Sequence, residues 1–260
     1  MADKCAWFIN LDENDTAARL AAAQLGPYGL AVKGQRWPTE DKAWLSSAQE
    51  AADAGAAVVL AIGSPARQAE GAVRRGLALF RLALQTRLGR PVNGFALVTG
   101  EPDGAGDASM GNAILGDWAR LDGTRWQAKV VARAHAPIAP PWPVRLGLHA
   151  HERLGIWLET HPAPGKTAAG ALVGVAGNAA KIDFHAVGPA GGMPERSVNE
   201  YELQGLQFEA AGQAFQAWGL RNAIAPDHSY YVRLDGEPDT LAIGALPDGE
   251  LEDVSLIAMG

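Results

Sequence analysis

The chain has 260 residues, of which 48% are apolar and 20% charged, and this balance excludes an intrinsically disordered protein. No apolar stretch approaches the roughly 20 residues that a membrane-spanning helix needs, so no membrane segment is expected. The net charge of −7 at pH 7 argues against a general nucleic-acid binder.

Cysteine content and the N-terminal sequence bear on the cellular compartment. Cys5 is the single cysteine, so no internal disulfide can form. The first residues contain no basic region followed by an apolar core, so no secretory signal peptide is expected. Both observations fit a protein of the reducing cytoplasm.

The first hundred residues alternate between short apolar runs and segments with helical character. Such alternation is typical of βαβ units, in which helices cover both faces of a parallel sheet. Ser64-Pro65 marks the start of the longest predicted helix, which runs to about Leu88. Residues 1–100 are therefore predicted to form an α/β domain with a parallel sheet. The predicted strands are residues 6–11, 30–34, 56–62 and 92–98, and the two shorter helices are residues 16–25 and 39–55.

The long helix has an excess of arginine. Between residues 66 and 90 it contains six arginines and one acid, Glu70. Arg67, Arg74 and Arg81 are seven residues apart and share one face of the helix. Two interpretations are open: a solvated face whose arginine stems cover apolar surface, or a docking face for an acidic partner or a second copy. Apolar residues at spacings of three and four predict a separate, buried face: Val73, Leu77, Phe80, Leu84 and Leu88.

These elements resemble a Toll/interleukin-receptor-like (TIR-like) domain over roughly residues 5–100. The resemblance rests on Phe8-Ile9-Asn10 and the acid-rich turn 12–15, on the loop 37–41, and on residues 58–65, where the third strand runs into Ser-Pro. It implies a parallel sheet between helices and assembly with copies or partners. A flavodoxin-like domain has a similar order of elements.

The resemblance also implies a candidate catalytic residue. Enzymatic members of the TIR-like family cleave NAD with a glutamate on the helix after this serine, and Glu70 is the single acid on the corresponding helix. The Trp-Cys pair that usually precedes that glutamate is missing, and Glu70 lies in the first turns of the helix. The alternative role of Glu70 is a favourable interaction with the helix dipole. No cofactor is expected unless this chain is such an enzyme, in which case NAD is its substrate.

The second half of the chain has a different pattern. Residues 101–113 are rich in Gly and Asp and are predicted to be a linker. After them, alternating runs broken by Gly and Pro predict a mainly antiparallel β domain over residues 114–260. A capping box at Ser197–Glu200 predicts one main helix, over residues 203–218. The predicted strands are residues 126–134, 144–151, 156–161, 182–187, 230–234, 241–246 and 254–259.

His149 and His151 are the candidate metal ligands. They share one face of a predicted strand, because side chains alternate with a period of two. A hairpin through residues 152–155 is predicted to place Ile156 and Leu158 beside them and to turn Glu159 and His161 to the opposite face. Zinc or iron needs a third ligand, so ordinary hydrogen-bonded histidines are the default interpretation and a metal-binding or small-ligand-binding β domain is the alternative.

The acids are concentrated at the end of the chain. From Asp235 onward there are seven acids and no Lys or Arg. Two interpretations are open: the acids serve solubility as independent solvated turns, or these turns face Arg67, Arg74 and Arg81 within one chain or between two. The leading hypothesis is a bacterial-type, cytoplasmic interaction or signalling module that acts through a protein partner or self-association. NAD cleavage through Glu70 and ligand binding by the β domain are the alternatives.

Overall fold

The structure of the protein, a computed structural model, forms two compact units, Met1–Ala139 together with Gly260, and Pro140–Met259. The predicted linker at residues 101–113 lies outside the residues that the structure describes. Those residues are 4–40, 42–100, 114–121, 125–136, 145–151, 153–162, 165–177, 180–194, 199–200, 202–246 and 254–260.

The first unit is built on five strands: β1 (Cys5–Asn10), β2 (Ala31–Arg36), β3 (Ala56–Gly63), β4 (Asn93–Val98) and β5 (Ala119–Leu121). All neighbours are parallel, in the order β2-β1-β3-β4-β5, which confirms the predicted α/β fold. Strands β1 and β3 are buried along their whole length. This order is that of flavodoxin-like sheets, whose ligands bind outside the carboxyl ends of the strands, at the β1/β3 switch point.

The helices of the first unit are α1 (Thr16–Leu25), α2 (Trp44–Asp53), α3 (Pro65–Ala69), α4 (Gly71–Leu88) and α5 (Trp126–His135). The Ser64 hydroxyl caps α3 by accepting from the Arg67 N–H, as the Ser-Pro pair predicts. The long predicted helix is divided in two, because the backbone of Glu70 is extended, with ψ at 124°. Within the described part of the chain, no helix is long and apolar enough to cross a membrane.

Residues 126–134 form α5 and not the predicted strand, so that prediction is wrong. Trp126, Val130 and Ala134 are buried at a spacing of four, which is the helical period. The same segment also alternates between apolar and polar residues, and alanine suits both patterns. Residues 114–136, which the sequence assigned to the second domain, belong to the first unit.

The second unit consists of two antiparallel sheets, with the orders β10-β11-β8-β13-β14 and β6-β7-β12-β9, and confirms the predicted β-rich architecture. The strands are β6 (Arg145–His151), β7 (Gly155–His161), β8 (Ala171–Ala176), β9 (Lys181–Pro189), β10 (Leu203–Ala210), β11 (Gln213–Leu220), β12 (His228–Asp235), β13 (Thr240–Gly244) and β14 (Ser255–Ala258). Strand β9 packs on β11 of the other sheet, where the ring centroids of His185 and Trp218 are 5.0 Å apart.

The main helix predicted over residues 203–218 is wrong, because this segment is the β10–β11 hairpin. Ala211 and Gly212 form its turn with φ values of 49° and 73°, which suit a two-residue hairpin loop and end any helix. Leu206 and Phe208 share one face of β10 at a period of two, and β11 pairs with β10 along its length. Gly205 and Gly212, the two glycines inside the predicted helix, are the sequence signal against that helix.

Candidate functional site

The carboxyl ends of β1, β3 and β4 meet at one edge of the parallel sheet, the carboxyl edge. Asp12, Ser64 and Thr99 follow these three strands. The Asp12 carboxylate accepts hydrogen bonds from the Ser64 N–H, the Ser64 hydroxyl and the Thr99 hydroxyl, each at 3.0 Å. One carboxylate therefore ties two neighbouring strand ends to the end of β1.

Glu70 lies at the same edge, between α3 and α4. Arg67 connects it to the end of β1: its Nε donates to the Leu11 carbonyl at 3.2 Å, and its Nη1 donates to Glu70 Oε2 at 2.5 Å. The Glu70 side chain is 46% exposed. A solvent-accessible carboxylate near the β1/β3 switch point is available to a ligand, and Arg67 competes with a ligand for it. Glu70 is also the N-cap residue of α4, the position at which a carboxylate interacts favourably with the helix dipole, as the alternative role of Glu70 requires.

Arg81 is a buried residue of the first unit. Its side chain is 1% exposed, and its guanidinium donates to both carboxylate oxygens of Asp117, in one case at 2.7 Å, and to the Ile114 carbonyl. The guanidinium carbon also lies 5.9 Å from the ring centroid of Trp118. Arg81 therefore does not belong to the exposed arginine face that the sequence predicts.

The other two arginines of that face have different surroundings. Arg67 lies on α3 and is held by Leu11 and Glu70, whereas Arg74 is half-buried on α4. Because the helix is broken at Glu70, Arg67 and Arg74 lie on different helices, and their seven-residue spacing does not place them on one continuous helix face. Docking of an acidic partner at Arg67 and Arg74 stays a prediction.

The acidic C-terminal turns lie only partly within the described residues. The acids between 248 and 253 are outside them, and Asp235 is paired with Lys181 of β9 at 3.1 Å. The predicted contact of these acids with Arg67 and Arg74 stays a prediction, whereas Arg81 is buried against Asp117 and is not available for it.

A groove of about 430 Å³ runs between α1 and β2, the edge strand of the parallel sheet, and we call it the β2 groove. Its floor is apolar because one face of β1 and β2 meets the small residues of α1 there. Charged residues line the groove as well, although the Lys33 side chain extends from the opposite face of β2, because side chains alternate along a strand and Val32 faces α1. The apolar lining residues are Phe8, Ala18, Ala22 and Val32, and the charged ones are Asp15, Arg19, Lys33 and Arg36.

The charge of the β2 groove is positive in a chain whose net charge is −7. Asp15, the single acid among its described lining residues, accepts hydrogen bonds from Arg36 at 3.1 Å and from Asn10 at 2.9 Å. These hydrogen bonds, led by that of Arg36, hold the pKa of Asp15 below its ordinary value. Arg19 and Lys33 are exposed, and the Arg19 side chain reaches Asp15 only at 3.9 Å. The groove therefore attracts acidic groups.

In the second unit, the register of β6 and β7 differs from the prediction. His149 pairs with Trp157 and Gly147 with Glu159, because three residues lie between the paired His151 and Gly155. Paired residues share a face, so Glu159 lies on the face of His149. The prediction that Ile156 and Leu158 accompany His149, with Glu159 on the opposite face, is wrong.

Glu159 is a buried and fully hydrogen-bonded carboxylate, 2% exposed. It accepts from Ser229 Oγ at 2.6 Å, from the Gly191 N–H at 2.9 Å and from Tyr231 Oη at 3.3 Å, and it contacts His149 Nε2 at 2.7 Å. Burial by itself raises its pKa, but the hydrogen bonds from His149, Ser229 and Gly191 outweigh burial and lower the pKa to about 2. The carboxylate is thus ionised at neutral pH and is a weak base.

His151, the second predicted metal ligand, is exposed on the same strand, and its Nδ1 accepts from the Arg153 N–H at 3.1 Å. No three His, Cys, Asp or Glu side chains within the described ranges are grouped so that they could hold a metal ion. The structure therefore joins His149 to Glu159, and no third ligand for His149 and His151 lies among the residues that it describes.

Sequence reasoning missed the roles of Asp12 and Glu159. Glu159 stands as a lone acid inside the strand pattern of residues 156–161, and a charge in an otherwise apolar strand is the signal of a buried pair. The role of Asp12 was missed because it is one of several acids in the turn 12–15, although it directly follows the predicted strand 6–11.

Comparison of the chain with protein-family models gave no match, and comparison with curated proteins gave none either. Its function therefore has to be inferred from the charge, burial and geometry of its candidate sites.

Proposed function

We propose that this chain is a cytoplasmic interaction or signalling module that acts by protein–protein assembly, with the β2 groove as its contact surface. The partner is a protein that presents an acidic, extended segment. The observation that carries the proposal is the combination of an edge strand, an apolar floor and a basic rim at one place.

An edge strand offers backbone N–H and C=O groups to an added strand. On β2 these groups lie beside Lys33 and Arg36, whose charges discourage pairing with another basic or apolar edge and favour an acidic one. Phe8 and Val32 supply apolar contact below the rim. Affinity then comes from hydrogen bonds to the β2 backbone and from the apolar contacts of Phe8 and Val32, whereas the basic side chains select an acidic partner.

Reversing the charge of Arg19 in the groove and that of Lys33 on the edge strand β2, by Arg19→Glu with Lys33→Glu, is expected to weaken partner binding at least about tenfold, because two attractions become repulsions. Arg36 is left unchanged because it holds Asp15. The measurement is the amount of a given protein retained from a source-cell extract by the wild-type and variant chains. Raising the salt to 1 M should reduce retention as well, since the Debye length falls to roughly 3 Å.

The matched control is Arg87→Glu with Lys166→Glu, two exposed positions with the same change of charge. This control should retain the partner like the wild type. If the retained proteins are the same for all three chains, or if light scattering shows a monomer that retains nothing, the β2 groove is not a docking surface.

A second candidate function is NAD cleavage at the carboxyl edge, with Glu70 as the carboxylate that stabilises the ribosyl cation as nicotinamide leaves. The observation that favours it is the exposed Glu70 carboxylate near the β1/β3 switch point, held 2.5 Å from Arg67. The residues that tie the strand ends, Asp12 among them, would shape the floor of that site.

For this candidate, the expected result is release of nicotinamide from NAD by the wild-type chain and a fall of at least about a hundredfold in Glu70→Gln. Glu50→Gln, on the exposed side of α2, is the matched control and should keep the wild-type rate. Chromatographic assay of nicotinamide decides the question. A wild-type chain without activity, or a Glu70→Gln variant with full activity, removes NAD cleavage through Glu70.

A further inference from the structure

A cavity of about 520 Å³ lies over the hairpin of β10 and β11 in the second unit. Strand β8 and Ala180, just before β9, complete its wall. A volume in this range suits a small organic ligand. None of its lining residues belongs to the carboxyl edge, the β2 groove or the surroundings of Glu159.

The strand register places its polar side chains together. Gln207 pairs with Gln216, and Glu209 pairs with Ala214, so these four residues lie on one face of the sheet. The Gln216 side chain accepts from the Ile182 N–H at 2.8 Å, and this bond identifies the face as the one directed at β9. Gln216 is thereby occupied and holds that wall of the cavity in place.

Gln207 and Glu209 are the exposed polar residues of this face. Neither side chain forms a hydrogen bond or ion pair with another residue that the structure describes. Among the described residues, Glu209 is the single charged residue of the lining and is accompanied by no Lys or Arg. The cavity therefore combines a carboxylate and an amide that have no partner in the described part of the chain with an apolar wall of Val175, Ala180 and Ala214.

We infer that this cavity binds a protonated amine with a short apolar body. The ammonium group donates to the Glu209 carboxylate and to the Gln207 side-chain carbonyl, while the apolar body lies against Val175 and Ala214. An anion is repelled by Glu209, and a neutral apolar ligand leaves that carboxylate partly desolvated without a partner. The ammonium can belong to a free amine or to a lysine side chain. This inference is independent of the proposed function, which concerns the first unit.

The test is titration of the ¹⁵N-labelled full chain with butylammonium, butanol and butyrate, followed by amide chemical shifts. Butylammonium should shift amides of residues 174–177 and 207–216 in a saturable way, and butanol and butyrate should not. Glu209→Gln should weaken butylammonium binding about fivefold, as expected for the loss of a solvent-accessible ion pair. Glu50→Gln, an exposed acid of the first unit, should leave the dissociation constant unchanged.

A parallel titration with the peptide acetyl-Gly-Lys-Gly-amide distinguishes the two sources of the amine. Tighter binding of the peptide than of butylammonium assigns the cavity to a lysine side chain, and the reverse assigns it to a free amine. The inference is overturned if butylammonium shifts no amides of the hairpin, if butyrate shifts them equally, or if Glu209→Gln binds butylammonium like the wild type.

Discussion

Glu159→Gln is expected to lower the free energy of unfolding of the second unit by about 3 kcal/mol at pH 7. The physical reason is the depressed pKa: about 2 in the folded chain against an ordinary value of 4.5. The folded state thus favours the ionised carboxylate, which His149, Ser229 and Gly191 hold by hydrogen bonds. Denaturant unfolding of both chains measures the difference.

The stabilisation by Glu159 is expected to depend on pH with a definite sign. Because the folded pKa lies below the unfolded one, the contribution is fully present above pH 4.5 and is lost as the pH falls toward 2. Because pH 3 is still one unit above the folded pKa, about 1.4 kcal/mol of the difference between wild type and Glu159→Gln should remain at pH 3, and the rest should be lost. Glu209 is exposed and its side chain has no partner among the described residues, so Glu209→Gln should unfold like the wild type at both pH values. A difference that is equal at pH 7 and pH 3 contradicts the assignment of an ionised, buried Glu159.

The second large expected effect is a loss of stability on breaking the pair of Arg81 and Asp117, and the loss should depend on which partner is replaced. Asp117→Ala leaves the 1%-exposed guanidinium without its carboxylate and should cost about 3–5 kcal/mol. Arg81→Met replaces the charge by an apolar side chain of similar length and leaves Asp117, which is 43% exposed, to solvent. This variant should lose only about 1–2 kcal/mol, chiefly because the hydrogen bond from the guanidinium to the Ile114 carbonyl is lost.

Thermal and denaturant unfolding of the two variants and of the double variant measure this asymmetry. Arg87→Met, at an exposed position of the same helix, is the control and should change stability by less than about 0.5 kcal/mol. Equal losses in Asp117→Ala and Arg81→Met would show that Arg81 is not a buried charge that depends on Asp117.

The sequence predicted the first unit well because its signals are local and mutually consistent. The apolar run of β3 and the Ser64 cap each follow from a few neighbouring residues, and α1 has the predicted bounds, Thr16–Leu25. The conformation of single residues was harder to predict. The extended backbone of Glu70 divides the long helix, although the sequence on both sides of Glu70 favours a helix. Arginine is usually an exposed residue, so the burial of Arg81 depends on Asp117, which is remote in the sequence.

The elements from residue 114 onward were harder to predict, because the helical period of 3.6 residues and the strand period of two fit the same segments. Alanine-rich segments satisfied helical and alternating patterns alike, so α5 was predicted as a strand and the β10–β11 hairpin as a helix. A change of one residue in a hairpin loop moves every side chain to the other face, which is why Glu159 was placed away from His149. The Glu159 partners come from three other segments, and long-range contacts of this kind follow from topology, which one sequence does not reveal.

Hydrogen exchange of β2 in the free chain and in the purified complex with a retained partner tests the central claim most directly. An added strand bonds the outward amides of β2, so residues 31–36 should exchange at least about tenfold more slowly in the complex. Residues 126–135 of α5, which lie outside the β2 groove, should exchange at the same rate in both. Unchanged exchange over residues 31–36, with protection at other segments, would contradict assembly through the β2 groove.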